Sequence, residues 1–418
     1  MVLWGLQIQQ WFVILIILAT FITLICTKMH PEMVFLGTIM LFYLSGVLTV
    51  EESFGGLCST SVVIVGIMFA VIAGLKYTGA LAWIVNHLMG RPKTYSGAII
   101  RMMLPASLLS AFTSNTATTL LFMDAVKSWS KELKLAASQL LIPLAYAASI
   151  GGALTMLGSP CNLIILGMYE QQTGDSINLF APFPIAACGL LLMVGIIILM
   201  KKVLPIREAV EKESDTDLLK YPKTRKTFVS IGILVAMILC AAFNLASLAT
   251  CSFIAAILMV ATKCCNVEQL KKEIDWDVIL VFAGSISIGT AVAKVGLDSL
   301  VVKNVLTICG TNPYMVLAVI CVITSLMTEV ISDTACAALS FPIAYEAATT
   351  LGVNPLPFCM AIMFAACNNY ATPVSTPPNT IVYMSGGYRF SDFARIGLVL
   401  KVVMLAVTIF LVPLIFPM

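Results

Sequence analysis

Charge and histidine are what this sequence has least of. Of its 418 residues, 11% are charged and 60% are hydrophobic, whereas a soluble domain carries roughly 25% charged residues. Water is therefore excluded as the solvent for most of its surface. The two histidines, His30 and His87, stand outside any HExxH, GxSxG or Walker setting, so a hydrolytic or phosphoryl-transfer centre lacks its raw material. Both are read as interfacial, and the chain as neither an enzyme nor the holder of an organic cofactor. The net charge is only +3, and no broad basic face with interleaved aromatics exists, which excludes nucleic acid as a partner. CxxC spacing is also missing among the 13 cysteines. Cys58, Cys188, Cys251, Cys309, Cys321, Cys336, Cys359 and Cys367 sit singly among apolar residues, and Cys264 and Cys265 are adjacent, so inert buried thiols are expected rather than zinc ligands. The first apolar run, 6–26, has no basic leader and no small-residue cleavage site, and is expected to be a retained helix.

What the sequence does have is apolar runs. Those long enough, or nearly so, to cross a hydrocarbon core of about 30 Å are 6–26, 33–50, 61–75, 135–157, 183–200, 228–243, 248–261, 278–293, 356–370 and 396–416. Two more, 97–126 and 315–348, are interrupted by small polar residues at Ser114-Asn115-Thr116 and Ser332-Asp333-Thr334. Such interruptions predict two half-helices folded into a re-entrant hairpin. The expected fold is an all-α polytopic membrane protein of about ten spans and two hairpins. With the N-terminus outside, every Lys and Arg except Lys294 and Lys303 is assigned to the cytoplasmic side, Arg389, Arg395 and Lys401 included. That asymmetry follows the positive-inside rule and predicts a multi-pass protein of the plasma or inner membrane. Residues 205–227, polar and mixed in charge, read as a cytoplasmic linker.

The interrupted runs are copies of each other. Ser114-Asn115-Thr116-Ala117 recurs as Ser332-Asp333-Thr334-Ala335, and Pro160-Cys161-Asn162 as Pro377-Pro378-Asn379, both about 217 residues on. Ser110 then matches Thr328, and Phe69-Ala70 is paired with Phe282-Ala283. Two repeats are expected, 1–204 with its hairpin at 97–126 and 228–418 with its hairpin at 315–348. An odd number of crossings in each makes them inverted, with the site where broken helices from both halves meet near the midplane.

Small hydroxyl and amide residues at a hairpin tip let backbone approach an ion, offering oxygens to a hard cation and donors to an anion. The alternative is that they only cap half-helices; their symmetric duplication favours binding. Gly158-Ser159-Pro160-Cys161-Asn162 and Ser375-Thr376-Pro377-Pro378-Asn379 read as unwound stretches, because proline breaks the helical ladder. Asp124, Glu329, Asp333 and Glu346 lie close to apolar runs. Asp124 and Glu346 are expected at the interface and Glu329 in a structural role, while Asp333 would repel an anion unless it binds a cation or a proton.

These tips, the paired proline–asparagine breaks and the stretches LIPLAYAASIGGALTMLGSPCN and TEVISDTACAALSFPIAYEAATTLGVNPLPF resemble the divalent anion/sodium symporter (DASS) family of the ion-transporter superfamily, over nearly the whole chain. The resemblance implies a homodimer in the lipid bilayer, with scaffold helices and a transport domain that moves as an elevator. It also implies sodium as the coupling ion and a small anion, such as a C4-dicarboxylate or sulfate, as substrate. One sodium would use Ser110, Ser114, Asn115, Gly158 and Asn162; the other would use Thr328, Ile331, Ser332, Asp333, Ser375 and Asn379. Asn115, Thr116, Ser159, Pro160, Asp333, Thr334, Thr376 and Pro377 would face the anion. Ten spans stand against the family's eleven, and a soluble insert common among bacterial relatives is missing. Asp333, where the family has Asn, bears on the site itself and leaves open a proton-coupled, exchange or efflux permease for an oxyanion or organic acid.

Overall fold

A computed structural model describes residues 2–3, 6–27, 29–89, 92–133, 135–207, 225–243 and 245–418. Most of the expected linker, together with Lys28, Arg91 and Lys134 and the side chains of Asp124 and Lys131, lies outside the described residues. Beyond a short antiparallel pair, β1 (Val2–Leu3) with β2 (Leu6–Gln7), the described chain is helical.

The first half runs α1 (Ile8–Cys26), α2 (Pro31–Leu44), α3 (Val50–Phe54), α4 (Thr60–Tyr77) and α5 (Ala80–Met89). It continues through α6 (Tyr95–Ser110), α7 (Asn115–Glu132), α8 (Ser138–Gly152), α9 (Pro160–Thr173) and α10 (Phe183–Leu199). The second half runs α11 (Arg225–Ala242), α12 (Leu248–Ala261), α13 (Val267–Glu273), α14 (Trp276–Lys294) and α15 (Leu297–Cys309). It closes with α16 (Pro313–Met327), α17 (Asp333–Leu351), α18 (Pro355–Ala366), α19 (Pro377–Gly386) and α20 (Phe390–Ile415).

Most helices of the second half begin about 217 residues after their counterparts in the first. Even the turns recur. Gly79 and Gly296, with φ of +70° and +69°, occupy the left-handed region between α4 and α5 and between α14 and α15, a conformation that L side chains resist. Phe69-Ala70 and Phe282-Ala283 do not share that spacing. They are an unrelated coincidence of two apolar residues within α4 and α14.

The halves exchange helices. The second helix of each packs on the fourth of the other, α2 on α14 and α12 on α4; likewise α3 lies against α14 and α13 against α4. Further in, α9 meets α17 and α7 meets α19. Every residue of α8 and nearly every residue of α18 is buried. Leu18, Leu199, Phe243, Phe410 and Leu414 instead point outward on α1, α10, α20 and the end of α11, as side chains solvated by acyl chains do.

Among the described residues, five helical stretches are long and apolar enough to cross a membrane: Val50–Tyr77, Phe183–Lys202, Arg225–Ala242, Trp276–Lys294 and Phe390–Ile415. The other expected spans are shorter. A 14-residue helix such as α12 rises only about 21 Å. Runs 135–157 and 356–370 are not single spans, because α8 and α18 stop at Gly152 and Ala366 and the chain continues as loop. Both interrupted runs are, as expected, two helices in contact across a break, α6 with α7 and α16 with α17. The sequence reading missed α5 and α15, and α15 meets α16 at a bend of 119°.

One side chain enters the backbone of another helix. The Tyr388 hydroxyl, just past α19, accepts from Ile142 N (3.2 Å) and donates to Ser138 O. An uninterrupted α8 would join those two groups directly. Nearby, Ser138 Oγ donates to Pro205 O (2.8 Å) and accepts from Arg207 N (2.9 Å), while the Arg207 guanidinium meets both Asp392 carboxylate oxygens at 3.2 Å.

Candidate functional site: two tip–loop units

Each half builds the same unit from a helix break and an adjacent loop. In the first, the tip 111–114 between α6 and α7 lies against the loop 153–159 between α8 and α9. Ser110 Oγ, fully buried, lies 2.8 Å from Ala148 O and 2.7 Å from Asn115 Oδ1, donating its one proton to either. Thr155 Oγ1 donates to Ala111 O at 2.5 Å. The Asn162 amide donates to Gly152 O and Thr155 O, both at 2.8 Å. It braces the loop from inside.

In the second half, Thr328 Oγ1 donates to Ala366 O (2.7 Å) and Thr372 Oγ1 to Glu329 O (3.4 Å). The Asn379 amide donates to Asn369 O (2.9 Å) and Thr372 O (3.1 Å). These bonds repeat those of the first unit, atom type for atom type. Ser375 Oγ joins them, within 3.0 Å of Asn369 O and Thr372 O.

All four motifs lie at helix N-termini. Ser114 and Ser332 cap α7 and α17, their hydroxyls accepting from Ala117 N (3.1 Å) and Ala335 N (3.4 Å). Pro160 and Pro377 occupy the first position of α9 and α19, where the missing N–H costs nothing. The prolines thus start helices rather than kink them. Ser159 and Thr376 precede them in extended conformation, and among the described residues their buried hydroxyls have no hydrogen-bond partner. Helix N-termini carry unpaired N–H groups and partial positive charge, which suits an anion.

Hard-cation chemistry is also present. Among the described residues, Asn369 Oδ1 and Asn379 Oδ1 are buried oxygens without a donor, and orphaned acceptors of this kind suit a cation such as sodium. Asn115, Thr116, Ile331, Asp333 and Thr334 are half-exposed at the tips and Ser332 is exposed. Asp333 Oδ1 accepts from Thr334 N (2.8 Å), and Thr334 Oγ1 lies 3.1 Å from Ser332 Oγ. In the first unit, the corresponding Asn115 instead engages Ser110 across the tip. Small residues bring the parts together: a Cβ on Gly152 would stand 2.6 Å from Asn115 Oδ1, and one on Gly158 would stand 2.6 Å from Gly152 O.

The units touch each other. Cys367 Sγ lies 3.6 Å from Asn162 Oδ1, and Tyr146 OH donates to Tyr370 O at 2.9 Å. Four participants escaped the sequence reading: Thr155 and its counterpart Thr372, Asn369, and Lys401. Lys401 does not belong to a cytoplasmic segment. It is buried within α20, its ammonium 2.9 Å from Glu329 Oε1, and its place inside the apolar run 396–416 was the available signal. Glu346, half-buried, accepts from Ser299 Oγ (3.0 Å). His30, Glu32 and Asp277 bring possible metal-ligand atoms within 4.8 Å of one another, outside both units at the starts of α2 and α14.

The sequence pattern described as "Citrate transporter" (CitMHS) matches residues 14–353 and, again, 288–418. The chain is 38% identical over 167 residues to the Escherichia coli "Uncharacterized transporter YfbS", a match covering 40% of this chain and 27% of that one. It therefore spans well under half of that relative. To the Staphylococcus saprophyticus "Sodium-dependent dicarboxylate transporter SdcS" it is 26% identical over 359 residues, 75% of this chain and 69% of that one. In fold it is similar to the Alcanivorax borkumensis YdaH transporter, with a TM-score of 0.62, 14% identity and 97% of each chain covered. The resemblance to sodium-coupled anion symporters read from the tips is thus borne out, and with the matched pattern extending from residue 14 to the last residue, the chain belongs to the citrate transporter family.

Proposed function

We propose that this chain is a secondary active transporter, using a sodium gradient to carry a small anion such as a C4-dicarboxylate or sulfate across the cell membrane. The observation that carries this reading is the twice-built tip–loop unit, each with helix N-termini at its motif residues. If each half crosses the membrane an odd number of times, the units reach mid-membrane from opposite faces as inverted repeats. Ser110, Ser114, Asn115, Gly158 and Asn162 would hold one sodium. Thr328, Ile331, Ser332, Asp333, Ser375 and Asn379 would hold the other. The ion supplies positive charge that draws tip to loop and offsets the charge of the anion. Asn115, Thr116, Ser159, Thr334 and Thr376 then donate to the anion, while Pro160 and Pro377 let the chain approach it. The loaded unit would move as an elevator against scaffold helices of a homodimer.

A proton-coupled or exchange permease is the second reading, favoured by the carboxylate of Asp333 at the second tip. Thermal stabilisation of the purified protein by succinate, malate, citrate, sulfate or phosphate, each with and without sodium, tests the first reading. A sodium-dependent response to one anion is expected; responses indifferent to sodium would refute the coupling. Counterflow in proteoliposomes, with and without a sodium gradient, separates symport from exchange.

A further inference from the structure

The two units differ in one respect that the repeat does not explain. Lys401, in the middle of α20, is 6% exposed. Its ammonium donates to Ser325 O (2.5 Å), Asn368 O (2.8 Å) and Glu329 Oε1 (2.9 Å). An ammonium has three N–H donors, and all three are used.

Two of the acceptors lie at the C-terminal ends of α16 and α18, where helix dipoles favour a cation. The third acceptor, Glu329, belongs to the second tip. Its Oε1 also accepts from Ala371 N (3.1 Å), and its backbone carbonyl accepts from Thr372. Asn368 fastens the arrangement from the other side, donating to Lys401 O (3.0 Å) and Ser325 Oγ (3.2 Å). The ammonium therefore sits among oxygens as a bound cation would, between the tip, the loop and α20. The corresponding positions of the first half lack both partners. Ala111 stands where Glu329 does, and α10, the counterpart of α20, carries no charged residue.

We propose that Lys401 is a positioning residue of the second unit. Its tethered ammonium orders the second tip on Glu329 and the carbonyls of Ser325 and Asn368, so that the first tip depends far more on a cation from solution. This deepens the transport reading and rests on it: the two halves are symmetric in fold but unequal in their demand for a free cation. A lysine that cannot leave holds its tip in every state of the cycle. The second tip then acts as a fixed jaw and the first as the sodium-gated one.

The test uses the purified full-length protein and its thermal midpoint in choline, sodium or propylammonium chloride, without added anion. Wild type should be stabilised by sodium and should not respond to propylammonium. Lys401→Ala, which leaves Glu329 bare beside a cavity, should lose stability in choline. It should recover at least half of that loss in propylammonium or sodium, with a steeper sodium dependence. An equal loss in all three salts would mean that Lys401 only fills space, and would overturn the proposal.

Should Lys401→Ala fail to fold, the neutral pair Lys401→Met with Glu329→Gln leaves no unpaired buried charge and keeps the question open to measurement. That double variant should keep the sodium slope of wild type but bind the anion about tenfold more weakly. Unchanged anion affinity would overturn the proposal. If wild type responds to no anion at all, the transport reading fails, and the amine rescue of Lys401→Ala still decides the tether.

Discussion

Gly152 offers a sharp test, because two opposing effects act there with calculable sizes. It is the last residue of α8 and fully within its helical span. Replacing a helical glycine by alanine ordinarily stabilises by about 0.5–1 kcal/mol. Here the three atoms nearest the new Cβ would all belong to the Asn115 side chain, with Oδ1 at 2.6 Å, Nδ2 at 2.9 Å and Cγ at 3.1 Å. Overpacking against an immovable neighbour costs about 1–3 kcal/mol. Asn115 is half-exposed and can swing away, giving up its hydrogen bond from Ser110 at a cost of about 0.5–1.5 kcal/mol.

The two contributions nearly cancel, so Gly152→Ala should change stability by no more than about 1 kcal/mol. Asn115 Oδ1, however, is driven from its place. If that oxygen helps to hold sodium, the concentration giving half-maximal anion-dependent stabilisation should rise by about tenfold or more, equivalent to at least about 1.4 kcal/mol. The double variant Gly152→Ala/Asn115→Ala removes the clash. Added to Asn115→Ala, the glycine change should then be neutral or mildly stabilising, an interaction energy of about 1 kcal/mol or more in the cycle. Strictly additive changes, or a Gly152→Ala protein with the sodium dependence of wild type, would refute this placing of Asn115.

Asp333→Asn should weaken sodium binding or remove pH dependence from uptake; uptake unchanged in both respects would show that the carboxylate takes no part in coupling. Asn162→Leu strips the donor from two buried loop carbonyls, at about 1–3 kcal/mol per carbonyl, whereas Asn379→Leu leaves the Ser375 hydroxyl to serve one of its two. Both half-lives in detergent at raised temperature should therefore shorten, that of Asn162→Leu the more, and an unchanged half-life in either variant would deny that the amide braces its loop. Thr328→Val keeps the shape and deletes the bond to Ala366 O, so a loss of about 1 kcal/mol is expected, with a larger fractional loss of anion affinity than of stability. Tyr388→Phe removes the hydroxyl between Ile142 N and Ser138 O; unless α8 recloses, the cost is about 1–3 kcal/mol, read as a lowered thermal midpoint.

The parts of this molecule set by local chemistry were readable from its residues. Ser114-Asn115-Thr116 and Ser332-Asp333-Thr334 announce helix breaks because small polar residues cap α7 and α17, and their spacing disclosed the repeat. What stayed hidden depends on partners distant in sequence. That α8 and α18 stop halfway cannot be seen in runs whose loop residues, such as Ala153, Leu154 and Cys367, are as apolar as the helices before them. Lys401 was misassigned because a lysine near the start of an apolar run looks like an interfacial flank. Glu329, 72 residues earlier in the chain, together with the carbonyls of Ser325 and Asn368, makes its burial tolerable.

Tyr388 has a consequence for biogenesis. One turn-forming link of a wholly buried helix in the first half, from Ile142 N to Ser138 O, is relayed through a phenol made some 250 residues later. While the ribosome is still at work, α8 is thus waiting for a component that has not been synthesised, and α2 and α4 are likewise waiting for α14 and α12. The first half thus completes its packing only with parts supplied by the second, so its early helices reach their final contacts once α12, α14 and Tyr388 have been made.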